Sequence, residues 1–140
     1  MSEVNQNVDK AREAYQLWNE TKGESVQHWL DLMSEDIQMR SMADGNPGME
    51  FSKPVQGKAA ALQYFLQLKE AWQMIDFIAE DFIAQGDRVV MRGRCEFKSR
   101  QTGKTAKTPK ADFLTFRDRL IVEYQEFYDT AQAYAAATPD

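Results

Sequence analysis

Cysteine and histidine each occur once, as Cys95 and His28. A single cysteine cannot close an intrachain disulfide, and the two residues together cannot supply a zinc cluster of ordinary spacing. No metal or other cofactor is expected. There is no run of about 18 apolar residues to span a bilayer. The first residues (Ser2, Glu3, Asn5, Gln6, Asn7) are polar and lack the apolar stretch of an export signal, so the expected location is the cytoplasm. Gly103-Lys104-Thr105 resembles the end of a phosphate loop, but Lys98 stands where the upstream glycine is required. With only four prolines and seven glycines, long regular elements have few interruptions.

What is present fits one globular domain. The chain has 140 residues, 43% of them hydrophobic and 28% charged, enough to bury a core without crosslinks. Residues 88–110 hold eight Lys/Arg against Glu96 alone, a local charge of +7, leaving −12 on the rest of a chain whose net charge is −5. That asymmetry suits either an anionic partner or a solvated strand surface. Nucleic acid is not expected, because the pI is near 5.0 and the basic strands lack an interleaved aromatic platform.

Val4, Val8, Ala11, Tyr15 and Trp18 recur at helical spacing and predict a first helix. Ser25 opens a short second helix with Val26, Trp29, Leu30 and Met33 on one side. Residues 36–42 alternate as a strand, and Asp44-Gly45-Asn46-Pro47-Gly48 begins a long loop. Gly57 leads into a third helix carrying Leu62, Phe65, Leu66, Leu68 and Trp72. Four strands follow, over 74–84, 88–99, 106–117 and 120–130. In the second of these, Val89, Met91, Gly93, Cys95 and Phe97 share one face, while Arg92, Arg94, Glu96 and Lys98 share the other. Gly93 marks a bend or a close approach of another backbone or of a ligand. The expected layout is a single domain over 1–130 and a flexible tail over 131–140.

Helices followed by long antiparallel strands make an α+β fold. This order resembles the nuclear-transport-factor-2-like superfamily, in its SnoaL-like branch. The phrases carrying the resemblance are Tyr64-Phe65-Leu66 through Trp72, Phe82-Ile83-Ala84-Gln85-Gly86-Asp87-Arg88-Val89-Val90, Phe116 through Tyr124, and Glu126-Phe127-Tyr128-Asp129-Thr130. The resemblance implies a cone-shaped, curved antiparallel sheet wrapped around three helices from the N-terminal half, with an internal apolar pocket. It also implies a homodimer through the convex sheet face. The fold hosts isomerases, dehydratases, cyclases, epoxide hydrolases and non-catalytic members, so it does not by itself name a reaction.

Ketosteroid isomerases of this superfamily use a first-helix tyrosine and a protonated aspartic acid as an oxyanion hole, with a second aspartate as base. By motif, Tyr15 falls at the tyrosine, Asp112 at the oxyanion acid and Ser41 at the base, where a hydroxyl cannot do a carboxylate's work. Limonene epoxide hydrolases and polyketide cyclases place a carboxylate on the last strand, where Glu126 stands. The hydrolases also need an Arg-x-Asp pair, and the positions matched to it are Gly93 and Cys95. The resemblance therefore implies Tyr15, Asp112 and Glu126 as catalytic residues. Trp18, Trp29, Met39, Ser41, Phe65, Met91 and Phe97 are expected to line the pocket. Three readings stay open: acid–base chemistry on an apolar organic substrate, binding of a small apolar ligand without turnover, and an interaction module using the sheet face.

Overall fold

The computed structural model describes residues 2–140. Helix α1 spans Glu3–Glu20, capped by the Ser2 hydroxyl, which accepts from the Asn5 N–H at 3.2 Å. Its apolar stripe buries Ala11, Ala14, Tyr15 and Trp18. Helix α2 (Val26–Leu32) follows, then strand β1 (Met33–Ser41), a 3-10 turn at Glu50–Ser52 and the two-residue strand β2 (Val55–Gln56). Helix α3 is Lys58–Ala71. Strands β3 (Trp72–Gln85), β4 (Arg88–Ser99), β5 (Thr105–Arg117) and β6 (Leu120–Tyr128) build most of the sheet.

The sheet order is β2-β1-β6-β5-β4-β3. Strands β3 to β6 pair antiparallel, as their short connections demand. The sheet is mixed, however, because β1 lies parallel to β6. That junction is allowed by the long path from β1 through α3 and back across the sheet. The β5–β6 turn is two residues long, with Asp118 and Arg119 both at positive φ (51° and 67°), the twist that tight hairpins favour.

Curvature comes from β3. Its register against β4 shifts between Ala79 and Asp81. Gly93 pairs with Ala79 there, and a Cβ at Gly93 would overlap the Ile78 carbonyl oxygen. The expected close approach is thus to a neighbouring backbone, and only glycine permits it. The bent sheet folds round α1, α2 and α3.

The end of the chain differs from the sequence reading. Residues 131–137, expected as part of a flexible tail over 131–140, belong to helix α4 (Thr130–Ala137). The Asp129 carboxylate caps it, accepting from the N–H groups of Ala131 and Gln132. Ala133 and Ala136 are buried beside Met49, Trp72 and Ala106 in a small second core. An alanine-rich segment has a weak hydrophobic signature, but alanine is the best helix former, and small side chains let the helix sit close to the sheet.

Candidate functional site

Strand parity decides which side chains turn inward. On β5 the even positions Ala106, Thr108, Lys110, Asp112, Leu114 and Phe116 are buried. Antiparallel pairing sets Asp112 beside Glu126 on β6 and beside Met91 on β4. Tyr124 and Tyr128 share the inward face with Glu126. Helix α1 brings Tyr15 to the same place, and α3 brings Tyr64.

These groups form one buried network. The Tyr15 hydroxyl lies 2.7 Å from Asp112 Oδ2. Lys110 Nζ donates to Asp112 Oδ1 and to Glu126 Oε2, both at 2.8 Å. Tyr64 donates to Glu126 Oε1 at 2.7 Å, and Tyr124 to Oε2 at 3.1 Å. Lys110, two residues before Asp112 and diagonal to Glu126, therefore bridges two carboxyl groups. The network lines a cavity of about 90 Å³. At about 30 Å³ per molecule that is room for roughly three waters, so an organic ligand of one ring or more must push the wall outward. The remaining wall is aromatic and apolar, with Trp18, Trp29, Phe51, Phe65, Phe77 and Phe97 among its members.

Burial pushes the Asp112 carboxyl above its usual range; Lys110 opposes that and the Glu126 charge adds to it. Burial acts on Glu126 in the same sense, but Lys110, Tyr64 and Ser41 outweigh it and hold this carboxyl below its usual range. Burial also opposes the charge on Lys110, yet the two carboxylates overcome it and raise the ammonium pKa. The two carboxyl groups are thus pushed apart, Asp112 toward holding its proton and Glu126 toward losing it, with the Lys110 ammonium between them. A cation between the two acids offsets their charge, which makes deep burial tolerable.

Tyr15, Asp112 and Glu126, the three residues the resemblance singled out, thus meet at one cavity. Trp18, Trp29, Phe65 and Phe97 also line it. Met39, Ser41 and Met91 do not. Met39 and Met91 are packed into the solid core, and Ser41 sits at the end of β1 with its hydroxyl 3.4 Å from that of Tyr128. Asp112 has no exposed surface, so a ligand would meet it through Tyr15 or Lys110.

Lys110 and Tyr64 were missed. Lys110 was counted with the solvated basic run, although it shares the parity of Asp112 at a spacing of two. A cation-x-acid pair also occurs one strand later than Gly93 and Cys95, as Lys110-Ala111-Asp112, with its two side chains 2.8 Å apart.

Residues 11–124 match the SnoaL-like domain family. No curated protein is detectably similar in sequence. Among solved structures, an NTF2-like protein from Burkholderia thailandensis superposes with a TM-score of 0.81 at 21% identity, covering 99% of this chain and 100% of that one. A putative SnoaL-like polyketide cyclase from a Jannaschia species gives 0.77 at 17% identity, covering 100% and 98%. A protein from Catenulispora acidiphila with a ketosteroid isomerase-like fold, in complex with trimethylamine, gives 0.72 at 14% identity, covering 88% and 90%. The match to the domain family spans most of the chain and the solved structures share its curved sheet, so this protein belongs to the SnoaL-like domain family and has the NTF2-like fold.

Proposed function

We propose that the cavity binds a small apolar molecule bearing a reactive oxygen and performs acid–base chemistry on it without a cofactor. The observation that carries this reading is the Lys110 bridge, which joins two adjacent carboxyl groups whose proton affinities are shifted in opposite directions, Asp112 up by burial and Glu126 down by its partners. Such a divided pair can give a proton to one atom and accept one from another. Tyr15 donates to Asp112 Oδ2 in the structure; when Asp112 takes up a proton there, the bond reverses and that proton faces the Tyr15 oxygen. The Tyr15 O–H is then free to donate to the substrate, and Asp112 replaces the proton it gives. Glu126, ionised and held by Tyr64, accepts a proton from water.

Hydration of an epoxide is the reaction this arrangement suits best. It needs a donor at the epoxide oxygen, a base for the attacking water and an apolar wall for the carbon frame. Removal of a proton next to a carbonyl suits it less, since Ser41, at the expected base position, is outside the cavity. A binding role without turnover is the second reading. It is favoured by the zero exposure of Asp112 and by the three donors that temper the basicity of Glu126.

The test is diol formation from styrene oxide and indene oxide, followed by chromatography, for the wild type, Asp112→Asn and Glu126→Gln. Each variant is expected to lose about 100-fold or more in turnover, the usual scale of general acid–base catalysis. Indane, an inert apolar probe, should bind all three proteins alike. If the wild type binds indane but hydrates neither epoxide above the buffer rate, the catalytic reading falls and the binding reading stands.

A further inference from the structure

A second cleft of about 230 Å³ lies behind the cavity wall. Trp18, Leu68, Trp72 and Phe97 line both spaces. The partition between them is therefore one side chain thick. The far side of the cleft is unlike the cavity, for its rim carries Lys22, Lys69, Arg100 and Glu24. With Asp76 facing Lys22, three cations stand against two acids, a small positive excess on a protein whose net charge is −5.

The cations are not equivalent. Lys69 is paired with Glu24 at 2.6 Å, and Lys22 lies 3.7 Å from Asp76. Arg100 has no carboxylate partner among the described residues. Its Nε donates to the Lys69 carbonyl oxygen at 2.9 Å, and its own N–H to the Ala71 carbonyl at 3.0 Å. These two bonds tie it to the last turn of α3, and the terminal nitrogens of the guanidinium have no acceptor among the described residues. A planar cation fixed at its base and open at its tip is suited to grip a carboxylate.

Resting on the reading that the cavity takes a small apolar molecule, we propose that the natural ligand is an amphipathic organic anion. Its apolar body lies in the cavity and its carboxylate or similar group meets Arg100, the rim cation that no carboxylate among the described residues pairs. Trp18, Leu68, Trp72 and Phe97 part to let the ligand span both spaces. Arg100 is then a specificity-determining residue, remote from the acid–base network.

Isothermal titration with 4-phenylbutyrate and its neutral amide tests this, since the two differ only in charge and its hydrogen bonding. The wild type should bind the acid about five- to tenfold more tightly at low salt, a modest gain because the rim is partly exposed to screening. The advantage should shrink at high salt and vanish in Arg100→Ala, with amide binding unchanged. Indane should displace both compounds. Equal binding of acid and amide by the wild type, or an equal loss of both in Arg100→Ala, overturns the anion site while leaving the cavity reading intact. Failure of indane to displace the acid shows the body lies outside the cavity, which also overturns it. If neither compound nor indane binds, the cavity reading falls, and this proposal with it.

Discussion

Lys107 and Lys110 stand three residues apart on β5 and face opposite sides of the sheet. The Lys107 side chain is 76% exposed and lies 3.9 Å from Glu96, while that of Lys110 is 6% exposed and holds two carboxyl groups at 2.8 Å. The contrast extends across the sheet. Outside, Arg92 pairs with Asp81 and Arg94 with Glu80, all well exposed. Inside, the same residue classes meet almost fully buried. Parity alone makes one set a solvated surface and the other a site. Outer pairs gain little, because water screens them and competes for their hydrogen bonds. The inner triad is costly to assemble and costlier to break.

The largest effect is therefore expected from Lys110→Met, which keeps the volume and removes the bridge. Glu126 would remain ionised and buried without its counter-charge. Loss of one partner from a buried ion pair costs about 3–5 kcal/mol, which for a chain of this size lowers Tm by roughly 10–20 °C. The deficit should depend on pH. Without Lys110 the Glu126 pKa rises, so the folded state retains its proton more readily than the unfolded chain does. Stability that is present at acid pH is then lost as pH climbs through the raised value. Chemical denaturation at pH 4 and pH 7 should show the smaller deficit at pH 4. A deficit below 1 kcal/mol, or one that ignores pH, would mean that the bridge does not hold the inner face together.

That bridge shows where the sequence was legible. Alternation in residues 88–99 placed Val89, Met91, Gly93 and Cys95 inward, and the structure agrees. Long strands with short turns carried the sheet. The inward face of Asp112 and Glu126 stayed open because each alternating strand offers two faces, and only the cross-strand register chooses between charged residues on them. Lys110 was hidden for the same reason, as a lysine in a basic run has the look of a surface residue until an acid two places along is known to be buried. Helix α4 was hidden because Thr130–Ala137 carries its signal in the Asp129 cap and alanine propensity, with no apolar stripe.

A smaller effect, opposite in sign with pH, is expected from Asp112→Asn. Asparagine is nearly the shape of a neutral aspartic acid, and it can still accept from Lys110 and donate to Tyr15. Because burial raises the Asp112 pKa, the wild-type contribution is present below the ordinary carboxylate range and is lost as pH rises through the raised value. The variant lacks that loss. It should lie within about 1 kcal/mol of wild type at acid pH and gain on it as pH rises through the raised Asp112 value. Higher pH confuses the comparison, since Cys95 and Tyr128, both pushed up by burial to about 12, add their own alkaline losses. A variant that falls further behind as pH rises would show that Asp112 is ionised in the folded protein.

The smallest effect belongs outside. Arg94 lies 3.2 Å from Glu80, with side-chain exposures of 61% and 40%. Distance alone would rank this pair close to the inner ones, so it separates the influence of burial from that of geometry. A double-mutant cycle with Arg94→Ala and Glu80→Ala should give a coupling of about 0.2–1 kcal/mol, falling toward zero in 1 M salt, where the screening length is about 3 Å. Salt should leave the cost of Lys110→Met nearly unchanged, because ions cannot reach the inner network. If the outer coupling rivals the inner one, or if both respond equally to salt, then burial is not what separates the two faces. The division of labour between Asp112 and Glu126 would in that case need another cause.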